Sequence, residues 1–175
     1  KWKRIDVNLA SKMFKIQMPL DVYPKSVFEE ELRSYTKNQD VRFDKSMIND
    51  RTYTSNHLFW ACSQYIVDHY DEMPDYIMLN CGVIRLADDF YIFTVGGEPS
   101  VDVKRVLERI MTDKTMLFFG YNDAIAYVPS DKMLKEGGYE AGDRSVVEYR
   151  MKGSFRFGMD ERFIKGFKEA MESLG

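Results

Sequence analysis

Histidine and cysteine are scarce in this chain of 175 residues, which contains two of each. His57 and His69 fall on one predicted helix, where they point roughly 120° apart and lie about 18 Å apart along the axis. They cannot hold one metal ion together, and no His-x3-His or Cys-x2-Cys spacing provides a self-contained zinc site. Cys62 and Cys81 are too few for a disulfide framework. We expect buried free thiols, although the sequence leaves their pairing open.

Long apolar runs and blocks of like charge are also missing. No apolar run approaches the roughly 18–20 residues that cross a bilayer, so we expect no transmembrane segment. Acidic and basic residues are interspersed around a net charge of −3, which offers no basic surface for nucleic acid. No G-x-S-x-G elbow supports a serine triad. The chain starts at Lys1 without a signal-peptide pattern, and we expect a processed product or a fragment of a longer protein.

Apolar residues make up 45% of the chain, enough for a sizeable core in one domain over residues 1–175. Apolar periodicity predicts alternating helices and strands, with a hairpin at 88–89 and a β-α-β crossover that makes strands 90–95 and 116–121 parallel. The fold class is therefore α/β, a mixed α+β layered domain whose central mixed sheet is flanked by helices. The predicted strands are 13–19, 76–86, 90–95, 116–121 and 145–151, and the predicted helices are 25–35, 55–70, 101–112, 130–136 and 160–174.

Local signals add detail to these elements. Ser100 and Asp160 are expected to cap helices, and the glycine pair 137–138 to end one. Residues 37–54 are polar and predict an exposed loop. In the helix 55–70 the apolar face predicts that His69 is a core histidine. The buried stripe expected for this helix is Leu58, Cys62, Tyr65, Ile66 and His69.

Two loops at strand ends, 96–100 and 120–130, are the expected positions for chemistry in such a sheet. Glu98 follows two glycines that let the backbone turn sharply, so it could act as a metal ligand or a general base. It could equally be a carboxylate that is favoured near the start of a helix. A third interpretation is an anion-binding loop formed by Gly96, Gly97 and the helix start at Ser100.

Two tyrosines near these loops also have alternative interpretations. Tyr127 ends the second loop and would lie beside the first if the two strands are neighbours, but an aromatic before Val-Pro is also a common packing residue. Tyr139 follows the helix-ending glycine pair. It could pack back onto the helix, or its hydroxyl could donate a hydrogen bond into a cleft.

Three segments together resemble the C-terminal part of the catalytic domain of neutral/alkaline non-lysosomal ceramidases. They are FTVGGEP at 93–99, GYNDAIAYVPS at 120–130 and EGGYE at 136–140. The family shows Pro-Gly-Glu at a strand end, then an Asn-containing loop ending in Tyr, and a Tyr-Glu pair about a dozen residues later. The resemblance is best over residues 76–140. It implies that this chain is the C-terminal portion of a larger catalytic domain.

The resemblance also implies roles for three residues. The family holds one zinc ion with two His, one Glu and one Tyr, and the Glu and Tyr ligands correspond to Glu98 and Tyr127. The tyrosine that assists at the substrate carbonyl corresponds to Tyr139. The activity implied is hydrolysis of a lipid-like N-acyl amide to a fatty acid and an amine. The family suggests a secreted or cell-envelope protein.

Two departures from the family pattern modify this expectation. The two His ligands belong to upstream motifs that do not occur here, so we expect weak or no zinc binding by this chain and completion of the site by the upstream part of the same protein. Gly96 replaces the family's proline, which we expect to loosen the loop. The alternative is a non-catalytic ligand- or partner-binding α/β domain related to ceramidases, with a cleft filled by its own side chains.

Overall fold

The computed structural model describes residues 6–38, 51–120, 122–123 and 126–175, with the backbone alone given for 35–38 and 51–57. These residues form a mixed α/β domain with a five-stranded sheet, which confirms the predicted fold class. The elements follow in the order β1 (Ala10–Val22), α1 (Lys25–Asn38), α2 (Arg51–His69), β2 (Tyr76–Ala87), β3 (Phe90–Val95), β4 (Glu98–Pro99), α3 (Val101–Glu108), β5 (Thr115–Phe119), β6 (Tyr127–Val128), α4 (Asp131–Glu136), α5 (Asp143–Glu148), β7 (Gly153–Phe155) and α6 (Met159–Glu172).

The sheet is mixed, and its order β5-β3-β2-β1-β7 determines which strand ends meet. β2 and β3 form the predicted hairpin, and β1 pairs antiparallel with both β2 and β7. β3 and β5 are parallel, as the connection through α3 predicted, so both strands end at the same edge of the sheet. Beyond that edge β4 and β6 form a separate two-stranded ladder.

One face of the sheet carries the core, because side chains alternate between the two faces along each strand. On β1, Ile16, Met18 and Leu20 are buried, while Lys15 and Gln17 between them are exposed. The alternation that predicted this strand therefore separates the core side from the outer side.

α6 covers the core face with aromatic side chains. Phe163 and Phe167 are fully buried, and the ring of Phe167 lies 5.1 Å from that of Phe14 and 4.6 Å from that of Phe93. Full burial of a Phe side chain stabilises a fold by roughly 1.5–3 kcal/mol. The helix–sheet contact is therefore a main source of stability.

α2 buries only part of the predicted stripe, and Cys62 and Ile66 are the members whose burial is confirmed. Phe59, Cys62 and Ile66 are buried, whereas Leu58 and Tyr65 are 45% and 40% exposed. Adjacent helix positions point about 100° apart, so choosing Leu58 in place of Phe59 rotates the inferred face away from the core.

Other elements also differ from prediction in type or in bounds. Residues 145–151 were predicted as a strand, but 145–148 belong to the helix α5 and 149–151 form the turn that ends it. Val146 and Val147 are both buried in this helix, which packs against α2. Residues 37–38 and 51–54 of the predicted loop belong to α1 and α2, and 39–50 lie outside the described residues. α3 ends at Glu108, four residues earlier than expected.

The cap of α6 comes from Asp131, not from Asp160 as predicted. Asp131 Oδ1 accepts from the backbone N–H groups of Gly158 and Met159 at 2.8 and 3.0 Å. Asp160 instead accepts from the backbone N–H of Asp131 at 3.0 Å, so the starts of α4 and α6 cap each other. α4 begins where the helix from residue 130 was predicted, and Ser130 is its cap, because its Oγ accepts from the backbone N–H of Met133 at 3.2 Å.

Candidate functional site

The loops that follow the parallel strands β3 and β5 meet beyond the sheet and pair there. The chain turns at residues 96–97 into β4, and the loop after β5 returns as β6, parallel to β4. Glu98 N donates to Ala126 O at 2.8 Å. Glu98 is thereby the direct cross-strand neighbour of Tyr127, and in a strand pair such neighbours project to the same side. The ladder brings together the two residues that the sequence proposed as metal ligands.

The turn into β4 needs its two glycines. Gly97 has φ +75°, and a Cβ at that position would collide with Ala126 O. A Cβ at Gly96 would collide with Asp123 Oδ1 and come within 3.1 Å of Asn80 O. Gly96 N also donates to Asn80 O at 2.8 Å. We expected Gly96 to loosen this loop, but the close packing and the hydrogen bond hold the turn in place.

Asp123 and Asn80 tie both loops to β2. Asn80 Nδ2 donates to Asp123 Oδ2, and Gly97 N donates to the backbone oxygen of Asp123. Burial is the main cause that raises the pKa of the adjacent Cys81 thiol to about 12. A hydrogen bond with the Gly96 backbone lowers this pKa, and the charge of Asp123 raises it further. Cys81 and Cys62 are both free and buried, as predicted.

Tyr139 lies against Tyr127, after the end of α4. Their ring centroids are 5.8 Å apart and the planes make an angle of 69°. The Tyr139 hydroxyl donates to Glu148 Oε2 at 2.5 Å, and the side chain is 47% exposed. The residue predicted to assist at a substrate carbonyl is therefore beside the predicted ligand pair, at the surface of the site.

Tyr149 is a member of this site that the sequence did not indicate. Its hydroxyl donates to Glu98 Oε1 at 3.0 Å, and its ring meets the Tyr127 ring edge-on at 5.1 Å and 82°. Residues 145–151 carry no motif, and their interpretation as a strand gave Tyr149 no reason to approach Glu98. Only the position of α5 brings it there.

The carboxylates of Glu98, Glu140 and Glu148 lie near the three phenols, and the guanidinium of Arg144 lies near Tyr139. Burial first, and then the charges of Glu98 and Glu148, raise the pKa of Tyr127. The bond to Glu148 is the main cause that raises the pKa of Tyr139 to about 12. Burial, followed by the bond to Glu98, raises the pKa of Tyr149. The phenols are therefore protonated at neutral pH.

An open pocket of about 340 Å³ is lined by Glu98 and Tyr127. Glu98, Tyr127 and Glu140 supply its polar wall, and Val101 and Met133 are among its apolar side chains. Val101 is 62% exposed at the start of α3, so apolar surface lies next to the carboxylates. A lining of this kind suits a ligand with one polar group and an apolar portion.

The histidines do not contribute to this site within the described residues. The His69 ring stacks on Tyr65 at 4.2 Å, and its Nδ1 lies 2.9 Å from Tyr65 O. It is half-buried at the end of α2, not a core histidine as predicted, because the buried face of α2 is the one that carries Phe59. The side chain of His57 lies outside the described residues.

The donor chemistry of Glu98 and Tyr127 fits two ligands of a zinc site but not a complete one. Protein-bound zinc usually takes three or four protein ligands, including carboxylate oxygens. Tyrosine would bind as phenolate, a form that a nearby cation stabilises. Across the part of the chain that the structure describes, no three His, Cys, Asp or Glu side chains are grouped to hold a metal.

No protein-family model, curated protein or solved structure matches this chain. None of the helices described is long and apolar enough to cross a membrane.

Proposed function

We propose that this chain is part of a zinc-dependent amide hydrolase of the neutral ceramidase type, which hydrolyses a lipid-like N-acyl amide to a fatty acid and an amine. The observation that supports this most strongly is the pairing of Glu98 with Tyr127 across the β4–β6 ladder. These residues belong to two separate segments of the sequence that both resemble the family. The third selected residue, Tyr139, packs against the second.

In this proposal some residues of the chain bind the metal and others bind the substrate. Glu98 and Tyr127 provide two oxygen ligands, and the upstream part of the same protein provides the rest. Zinc held there would polarise the carbonyl of the substrate amide and lower the pKa of a bound water. Tyr139 would exchange its hydrogen bond to Glu148 for one to the substrate carbonyl oxygen, and its exposed position beside Tyr127 suits this role. The apolar wall of the pocket, which includes Val101, accommodates the acyl portion.

Zinc content measured by elemental analysis tests the proposal. The longest natural product of the gene should contain one zinc per chain, and this chain alone little or none, because two ligands are too few for tight binding. Glu98→Gln in the longer protein should lose the metal. Glu169→Gln, which changes an exposed carboxylate on α6, is the matched control and should retain it.

Hydrolysis of an N-acyl amide is a second, independent measurement on the same proteins. Release of fatty acid from an N-acyl amide should require the longer protein and zinc. Tyr139→Phe should retain zinc while losing about 10²–10³-fold in kcat, the usual loss for one hydrogen-bond donor at a developing oxyanion. A longer protein that contains no zinc and cleaves no N-acyl amide would contradict the proposal.

A second candidate function is a non-catalytic binding domain of the same ancestry. The observation in its favour is that side chains of the chain itself pack the site, because Tyr149 bonds to Glu98 and two tyrosine rings flank Tyr127. This candidate predicts a metal-free longer protein with an intact fold, so the zinc measurement separates the two.

The anion-binding interpretation is not supported by the geometry of the loop. The backbone N–H groups that would bind an anion already donate to carbonyl oxygens, among them those of Glu98 to Ala126 and Ser100 to Val128. Ser100 takes the predicted cap position, but its side chain makes no cap hydrogen bond. The nearby carboxylates would also repel an anion.

A further inference from the structure

The two edges of the five-stranded sheet differ in how they are protected. At one edge β7 has only three residues, and Arg156 directly after it forms an ion pair with Asp21 of β1 at 2.7 Å. At the other edge β5 has five residues, none of them buried, and its Leu117 and Phe119 are 43% and 53% exposed. Short strands and charged side chains keep a sheet edge from pairing with another chain. β7 therefore has such protection, and β5 lacks it.

The composition of β5 also favours pairing. Its sequence, Thr-Met-Leu-Phe-Phe, contains neither a charged residue nor a proline, and its register with β3 runs without a bulge. Among the strands that the structure describes, β3 is its one partner. An apolar edge strand without charge, proline or bulge is a template for a further strand. β5 is therefore suited to binding a strand of another molecule.

The backbone groups at this edge have defined directions. Thr115 N donates to Asp89 O at 2.7 Å, so the peptide groups of Thr115 face β3. Along a strand the N–H and C=O groups of successive residues point alternately to the two sides. Those of Met116 and Phe118 therefore face the open edge, where a new strand would bind them.

A second copy of the chain fits this edge in an antiparallel register centred on Leu117. Met116 then lies opposite Phe118 of the second copy. Because both residues direct their N–H and C=O groups outward, they can exchange both hydrogen bonds, and the two-fold axis repeats the pair. Leu117 lies on the axis, opposite its own counterpart, in a pair without hydrogen bonds whose side chains are close together.

The side chains are compatible with the same register. Met116 and Phe118 pack against the core, so Leu117 and Phe119 project from the other side of the sheet, where Leu117 neighbours Ile92 of β3. In the paired sheet an apolar row would run from Ile92 through both copies of Leu117. Phe119 would lie opposite Thr115 of the second copy, and such aromatic and β-branched neighbours stabilise a strand pair. No charge on β5 opposes the contact.

We propose that β5 is the contact surface for a second copy of this chain, which pairs with it antiparallel about Leu117 to extend one sheet through two molecules. Since β7 is protected, each copy offers one edge of this kind among its described strands, so pairing closes at a symmetric dimer. A strand contact of this length lies at the low end of interface sizes, below about 1,200 Å², so the dimer is reversible. This inference does not depend on the proposed function.

Sedimentation equilibrium of the 175-residue chain over a range of concentrations tests the dimer. The wild type should shift from monomer to dimer as concentration rises. Leu117→Lys places like charges opposite each other at the axis and should weaken dimerisation by about tenfold or more, because the substitution occurs twice. The matched control, Leu58→Lys, replaces a leucine of similar exposure, 45%, on α2 and should leave dimerisation unchanged. Equal melting temperatures under monomeric conditions would exclude misfolding.

Disulfide crosslinking tests the register. The two Leu117 Cα atoms would be about 4.5 Å apart across the axis, within the range of about 4.4–6.8 Å that a disulfide spans. Leu117→Cys should therefore form a covalent dimer under mild oxidation. Thr115→Cys is exposed on the same side but lies opposite Phe119 in this register, so it should not crosslink. The native Cys62 and Cys81 are buried and do not compete.

Two results would overturn the inference. If the wild-type chain sediments as a monomer at every concentration, no second copy binds β5. If a dimer forms but persists in Leu117→Lys and does not crosslink through Leu117→Cys, the copies associate through another surface. Neither result affects the proposed function, which the zinc measurement tests separately.

Discussion

Two clusters of three aromatic rings have similar geometry and different surroundings. In the phenylalanine cluster (Phe14, Phe93 and Phe167), Phe14 meets Phe167 at 5.1 Å and 82°, and two of the three rings are fully buried. In the tyrosine cluster (Tyr127, Tyr139 and Tyr149), Tyr127 meets Tyr149 at the same distance and angle, and no ring is fully buried. The hydroxyls of Tyr139 and Tyr149 bind Glu148 and Glu98.

Ring packing alone therefore does not indicate what an aromatic cluster is for. The phenylalanine cluster joins α6 to the sheet and excludes water, so its contribution is hydrophobic. The tyrosine cluster is half open to solvent and has carboxylates beside it, so it stabilises the fold less and can offer hydroxyl groups to a ligand. The expected consequences of substitutions in the two clusters differ accordingly.

The largest expected effect is on stability, from Phe167→Ala in the phenylalanine cluster. Removal of a fully buried Phe leaves a cavity and should lower the free energy of unfolding by about 3–5 kcal/mol, measured by urea denaturation. Tyr127→Phe keeps the ring of the tyrosine cluster and should cost no more than about 1.5 kcal/mol. Equal losses in the two variants would contradict the distinction between the clusters.

An effect of intermediate size is expected at alkaline pH, from Tyr139→Phe in the tyrosine cluster. The pKa of Tyr139 is raised to about 12 by its bond to Glu148, whereas the unfolded chain ionises near 10.0. Its contribution to stability is therefore complete below about pH 10 and declines as the pH rises toward 12, since the unfolded state loses the proton first. Urea midpoints measured from about pH 9 to about pH 11 should fall less steeply in Tyr139→Phe than in the wild type.

Two considerations set the expected size of that slope, and one control variant tests its cause. The side chain is half exposed, so solvent screening keeps the effect modest. Some slope should persist in the variant, because the pKa values of Tyr127 and Tyr149 are also raised. A matched substitution in the phenylalanine cluster, Phe14→Leu, should lower the midpoints at every pH without changing the slope. An identical slope in wild type and Tyr139→Phe would contradict the assigned hydrogen bond.

The smallest expected effect comes from the helix end that carries Tyr149. A non-glycine residue in the left-handed region costs roughly 1–2 kcal/mol, and Arg150 has φ +53°. Arg150→Gly removes this strain, and Arg150→Ala retains it, while both remove the contact of the guanidinium with the Tyr65 ring. Arg150→Gly should therefore be about 1 kcal/mol more stable than Arg150→Ala in thermal or urea unfolding. The reverse order would mean that the helix end does not take this conformation.

Some features of the fold could be predicted because their cause lies within a few residues. The β2–β3 hairpin has its turn residues between two apolar strands, and α4 has its cap and its terminating glycines within nine residues of sequence. The parallel pairing of β3 with β5 followed from the helix that connects them. The proximity of Glu98 and Tyr127 was predictable from that pairing, since both loops leave the same edge of the sheet.

Other features required information from distant residues. Residues 145–151 contain β-branched valines and predicted a strand, but packing of Val146 and Val147 against neighbouring elements favours a helix. Asp131 caps α6 from 27 residues upstream of Gly158, a distance that no local cap pattern includes. The buried face of α2 likewise depends on which elements it contacts, and two adjacent faces of that helix are both apolar.

The sequence by itself determined the order of the elements from β1 to α4 apart from the short strands β4 and β6, and with it the hairpin, the parallel strand pair and the two loops that would carry chemistry. It could do so because turn residues and side-chain periodicity act locally. Only the tertiary structure decided that the end of α5 places Tyr149 against Glu98. The same is true of the contact between Glu148 and Tyr139, and of the position of His69 outside the core. The physical reason is that these contacts join residues held by separate elements. Burial of the shared core, not any local pattern, determines how those elements are placed against each other.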